Sequence, residues 1–322
     1  MKKINFVSAT EALGRVRSGQ HVFVGSGCAE PELLVKALVA RAPELHDVEI
    51  FHLLTAGAAP YADPALQGSF RHNAFFIGPN VRTAVRVGAA DYTPCFLHEI
   101  PGLIRSGRVH IDVALVQVSP PGPDGRFSLG ISVDVVRSAV ETARLVIAQV
   151  NPRMPRTRGE GNLPASLFDL FVDGDAPLFE LASRQSTPDA EAIGRHCSAI
   201  VEDGATIQMG IGAIPDAVLA QLGGKNDLGV HTEMFSDGLL PLIESGVVNG
   251  RRKTLHRGKI ITSFCMGTRK LYDAVDDDGR FEFRPSDYVN DPFVIAQNDR
   301  MVSPNYGCWP NMRSSRSRYN RS

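Results

Sequence analysis

At 322 residues, 43% hydrophobic and 21% charged, the chain has the composition of an ordinary globular protein and more length than one core comfortably fills. A net charge of −1 argues against nucleic acid or an anionic membrane as the main partner, and no apolar run approaches the ~18–20 residues that span a bilayer. Five scattered cysteines (Cys28, Cys95, Cys197, Cys265, Cys308) without a C-x-x-C pair argue against a disulfide frame or a metal site, and with no signal-like apolar start the expected location is the cytoplasm.

Short apolar runs alternate with helix-period segments, the pattern of βαβ units around a parallel sheet. Residues 22–24 read as a strand, 30–42 as a helix and 48–54 as the next strand. Residues 113–118 and 145–150 are buried strands, with a helix rich in Val and Ala over 133–143 between them. The turn-rich run from Pro120 to Gly125 is expected to be a stiff loop at the cleft. The polar segment 183–189 is the natural domain boundary. Further on, 207–209 reads as the end of a buried strand. Gly210 and Gly212 then let the backbone turn, and Pro215 with Asp216 opens a helix that stops at Gly223 and Gly224. The following strand, 228–232, ends at Glu233. Ser236 and Asp237 are expected to cap a helix over 238–244.

The chain repeats itself. Residues 17–27 match residues 202–212, with three glycines and the strand residues at one constant offset. Each copy is followed by a proline and an acid, Pro31-Glu32 and Pro215-Asp216. The expected architecture is α/β, with two similar open α/β domains over residues 1–185 and 186–305. The helix and strand of 133–150 have no counterpart in the second copy. Residues 306–322 carry four Arg, no acid and the only Trp, and are expected to be foreign sequence after an early end of the second domain.

Three chemistries compete for the segment 207–238. Gly210-x-Gly212 after a strand, with Glu233 about twenty residues on, resembles a dinucleotide site, but Pro215 stands where the third glycine belongs. A phosphate-cradling NTPase loop lacks its G-K-[ST]. The third reading is covalent catalysis by a carboxylate, with the amides of the glycine loop stabilising negative charge. His231, two residues before Glu233 on one strand face, reads first as a hydrogen-bonded structural histidine and second as a group tuning the carboxylate. Tyr92 and Glu99 are candidates to reach the same pocket from the first half.

Gly210-Ile211-Gly212-Ala213-Ile214-Pro215, followed by the run from Asp227 to Gly238 with its His231-Thr232-Glu233, closely resembles the acetyl-CoA hydrolase/transferase family. Within the family it resembles the 4-hydroxybutyrate and butyrate CoA-transferase members. The likeness covers Gly25-Ser26-Gly27-Cys28-Ala29-Glu30-Pro31, Asp91-Tyr92-Thr93-Pro94, Val118-Ser119-Pro120-Pro121, the run from Val150 to Thr157, and Tyr288-Val289-Asn290-Asp291-Pro292. It runs to about Asn305.

The resemblance implies a pair of CoA-transferase-type α/β domains, the second one truncated. It assigns the nucleophile to Glu233 and contacts with CoA to Gly210, Ile211, Gly212, Ala213 and Ile214. The implied reaction is transfer of CoA between an acyl-CoA and a small carboxylate such as acetate, through a glutamyl-CoA thioester. Coenzyme A is then a substrate, with no separate cofactor or metal. An acetyl-CoA hydrolase and an inactive CoA-binding remnant are the alternatives, and a homodimer is the expected assembly.

Overall fold

Two all-parallel sheets form in the computed structural model, which describes residues 5–182 and 186–303. In chain order the first half supplies β1 (His21–Val24), β2 (Val48–His52), β3 (Phe70–Ala74), β4 (Ala90–Tyr92) and β5 (Val113–Val118). It continues with β6 (Arg126–Ser128), β7 (Leu145–Val150), β8 (Asn162–Pro164) and β9 (Leu170–Asp173). Seven of these pair in the order β4-β3-β2-β1-β5-β7-β9, while β6 and β8 form a separate antiparallel pair. Every residue of β5 is buried, as a central parallel strand covered on both faces requires.

The second half supplies β10 (Thr206–Ile207), β11 (Gly229–Phe235), β12 (Ile260–Cys265), β13 (Phe281–Phe283) and β14 (Met301–Val302). Their order, β13-β12-β11-β10-β14, repeats the β4-β3-β2-β1-β5 portion of the first sheet. The sequence repeat therefore reappears as topology, with β10 standing for β1 and β14 for β5. Backbone conformation follows it too. Gly19 and Gly204 both turn at φ 75° just before β1 and β10, and Gly27 and Gly212 after them have φ 61° and 114°. Among the described residues, nothing in the second sheet corresponds to β7 and β9.

The halves share one core. A single apolar cluster joins Phe23, Val118 and Val133 to Ile207, Phe264 and Phe283, whereas a second cluster lies wholly in the first half. Main-chain pairing reinforces this. Val133 N–H donates to the Ser263 carbonyl (3.0 Å) and Cys265 N–H to the Ile131 carbonyl (3.0 Å), so residues 131–133 extend the second sheet beside β12. Glu160 N–H donates to the Phe283 carbonyl (2.8 Å), and Phe283 N–H to the Arg158 carbonyl (2.9 Å), covering the edge of β13.

That exchange corrects one expected element. The helix read over 133–143 begins only at Val136 (Val136–Thr142), because residues 131–133 are paired with β12. The helix read over 30–42 is Glu32–Val39, followed by a 3-10 turn at Ala42–Glu44. The loop from Pro120 to Gly125, expected at the cleft, is not among the residues that line the cavity between the halves. The Arg156 guanidinium lies over Gly122, donating to Asp124 Oδ1 (2.8 Å) and the Arg126 carbonyl (3.0 Å). Of the expected boundary 183–189, residues 183–185 lie outside the described residues, and the next helix starts at Pro188 (Pro188–Ala199). The segment 306–322 also lies outside them.

Candidate active site

In each sheet the chain leaves its first strand, β1 or β10, where the strand order reverses, the place at which open α/β sheets leave a crevice. The loop after β10 carries Gly210 and Ile211 into that crevice. Both line a cavity of about 970 Å3, and so does Glu233 from the neighbouring β11. The opposite wall comes from the first half and includes Leu54, Thr55, Phe76, Asn80, Tyr92 and Glu99. A cleft between the halves thus contains both the carboxylate and part of the glycine loop.

Glu233 sits inside β11, not at its end as the apolar run suggests. Pairing with β12 continues beyond it at Met234 and Phe235. Its side chain shares a strand face with His231, and both point at the turn of chain that follows the helix Ser286–Val289. Asn290 Nδ2 donates to Glu233 Oε2 (2.9 Å), and His231 Nε2 meets the Val289 carbonyl (2.9 Å). Burial pushes the Glu233 carboxyl up to about 7; the Asn290 hydrogen bond opposes that shift, and the nearby Asp134 charge adds to it. Burial holds His231 down to about 4, so its neutral ring donates to the Val289 carbonyl. His231 is therefore a strut for the Asn290 turn, in agreement with the structural reading of it.

Thr232 ties the two strands at the site. Its buried hydroxyl donates to the Met209 carbonyl (2.8 Å) and accepts from Met209 N–H (3.0 Å). Because β10 ends at Ile207, this side chain takes over where main-chain pairing stops, holding the entry to Gly210 against Glu233.

The N-terminal domain model of the acetyl-CoA hydrolase/transferase family matches residues 2–175, and the C-terminal domain model of the same family matches residues 267–308. The chain belongs to the acetyl-CoA hydrolase/transferase family. It is 46% identical to a 4-hydroxybutyrate coenzyme A transferase of Clostridium kluyveri, across 94% of this chain and 71% of that protein. With a succinyl-CoA:acetate/propanoyl-CoA:succinate CoA transferase of Fasciola hepatica the identity is 43%, across 92% of this chain and 62% of the relative. Among solved structures, RipA from Yersinia pestis superimposes with a TM-score of 0.89 at 35% identity, covering 93% of this chain and 72% of that one. By family this is a CoA-transferase enzyme. The C-terminal match includes residues 306–308, the first of the segment expected to be foreign.

Of the residues for which the family resemblance implies CoA contacts, Gly210 and Ile211 line the cavity; Gly212, Ala213 and Ile214 are not among its lining residues. Gly212, at φ 114° and ψ −179°, turns the chain out of the wall and into the helix Ala213–Ala220. That helix starts before Pro215. Proline is tolerated there because first-turn amides lack intrahelical partners. Ser236 and Asp237 do not cap the following helical turn. Ser236 Oγ donates to Asp216 Oδ1 (3.0 Å), and Asp237 accepts from Thr268 N–H (2.8 Å) and Thr268 Oγ1 (2.5 Å), fastening the loop after β12. Tyr92 and Glu99 both reach the cavity wall.

Three contributors escaped the sequence reading. Asn290 stood only within a matched motif, Thr232 only as a neighbour of the glutamate, and Asp134 not at all. Asp134 is fully buried and accepts from Ser26 Oγ (2.9 Å), Ser132 Oγ and Val135 N–H (2.6 Å). Its carbonyl accepts from Ser286 N–H (3.2 Å), which anchors the helix leading to Asn290.

Proposed function

We propose that this chain transfers coenzyme A between an acyl-CoA and a small carboxylate, acetate among them, with Glu233 as the covalent nucleophile. One observation carries the reading: a desolvated carboxylate that accepts from the Asn290 amide lies in one cavity with Gly210 and Ile211 of the glycine loop. Poor solvation makes the ionised form a better nucleophile than a carboxylate in water, and in this reading the amides of Gly210 and Ile211, residues that line the same cavity, stabilise the oxyanion.

In this scheme a Glu233 oxygen attacks the thioester carbonyl and CoA thiolate leaves, giving a mixed anhydride. The thiolate then attacks the Glu233 carbonyl carbon, releasing the first carboxylate and leaving a glutamyl-CoA thioester. An incoming carboxylate takes the acyl role by the same steps reversed. No metal or second cofactor enters the scheme. The thioester substrates and the free cysteines Cys28, Cys95, Cys197 and Cys265 suit the cytoplasm, and a homodimer is the assembly we assign.

The test is trapping. Incubation with butyryl-CoA followed by hydroxylamine should convert Glu233 to a hydroxamate detectable by mass spectrometry, and E233Q should abolish both label and transfer. Unmodified Glu233 with turnover retained would overturn the mechanism. Free butyrate formed at the same rate with and without acetate would make the enzyme a hydrolase.

A further inference from the structure

The wall that faces Glu233 says which acyl groups fit. Aromatic and aliphatic side chains dominate it: Phe75, Phe76, Phe96 and Ile100 from the first half, Met234 and Met266 from the second. Its ionisable members include the carboxylates Glu99 and Glu180 in addition to Glu233, and among the described residues no Lys, Arg or His contributes to it. The Glu99 carboxylate is held in place by accepting from Phe96 N–H (3.0 Å).

An acyl chain ending in a second carboxylate would place that charge against an apolar wall to which no described residue lends a cation. A charge leaving water in this way is strongly disfavoured, and the neighbouring carboxylates add repulsion. A neutral chain meets neither penalty and gains from burial. We infer that this cavity discriminates by charge, accepting acyl groups without a second carboxylate and rejecting dicarboxylic acyl groups. The inference rests on the proposed function only in taking this cavity as the acyl site.

Butyryl-CoA and succinyl-CoA share the whole coenzyme and differ at the acyl end, so their binding to the full chain, measured by calorimetry without acceptor, isolates the effect. Succinyl-CoA should bind at least about tenfold more weakly than butyryl-CoA, and the ratio should shrink severalfold in the E99Q/E180Q double variant. Because the ratio is internal to each protein, a general loss of affinity in the variant leaves it readable. Equal or tighter binding of succinyl-CoA would overturn the inference. So would a ratio unchanged in the double variant, or no binding of butyryl-CoA. Absence of the Glu233 hydroxamate with the binding ratio intact would instead remove the proposed mechanism and leave the charge selection standing.

Discussion

Asn290→Ala isolates a hydrogen bond that favours the charged form of the Glu233 carboxylate. In the intact protein that carboxyl is pushed up to about 7 by burial, with Asn290 Nδ2 opposing the shift from 2.9 Å. A hydrogen bond to a charged group is worth about 1.5–3 kcal/mol, or roughly one to two pKa units at about 1.36 kcal/mol per unit. Removing it should move the carboxyl to about 8–9. Attack requires the ionised form, so activity rises as pH increases through this value. At pH 7 the ionised fraction then falls from roughly one half to between about one tenth and one hundredth, a loss of about five- to fiftyfold that shrinks toward pH 10. The assay is kcat/KM for transfer from butyryl-CoA to acetate, followed from about pH 6 to about pH 10 beside the parent protein. A midpoint that stays put or moves down, or a loss equal at every pH, would refute the idea that Asn290 stabilises the ionised nucleophile.

Thr232→Val keeps the shape of a buried side chain and deletes the hydroxyl that accepts from Met209 N–H. An amide left unpaired at that depth should cost about 1–3 kcal/mol, read as a lower denaturation midpoint together with weaker CoA binding; unchanged values for both would remove Thr232 as the tie between strand and loop. Glu30 is another buried carboxyl, pushed by burial from 4.5 to about 7 while accepting from Gly57 N–H (2.7 Å). Between those two pH values the unfolded chain has released its proton and the folded chain keeps it, so folding loses stability as pH rises through that window. Glu30→Gln, which preserves the acceptor, should match the parent near pH 4 and exceed it by about 1–3 kcal/mol above pH 7. Denaturant melts at the two pH values check this, and a stability difference independent of pH would contradict the buried-carboxyl argument.

Much of the fold was legible because its signals are local. The strands over 22–24, 113–118 and 145–150 are apolar runs of strand length, and the structure places β1, β5 and β7 there. The repeat was legible because a left-handed turn favours glycine, so Gly19 and Gly204, with Gly27 and Gly212, keep their places in both copies. Helix starts were read less well. Periodicity alone extended a helix back to residue 133, where the chain is instead pairing with β12. Ser236 and Asp237 have the chemistry of caps, yet tertiary packing gave them Asp216 and Thr268 as partners.

The family, the two-part parallel α/β plan, the candidate glutamate and its glycine loop were determined by the sequence itself. They rest on short-range features such as glycines at turns, strand-length apolar runs and contiguous motifs. The environment of Glu233 was decided only by tertiary structure. Asn290 lies 57 residues further along the chain, Asp134 belongs to the other half, and the wall facing the glutamate is built from the loops of the first sheet. Desolvation, the Asn290 amide donor and the charge of the cavity wall come from groups brought together across the shared core, and no spacing along the chain encodes that distance.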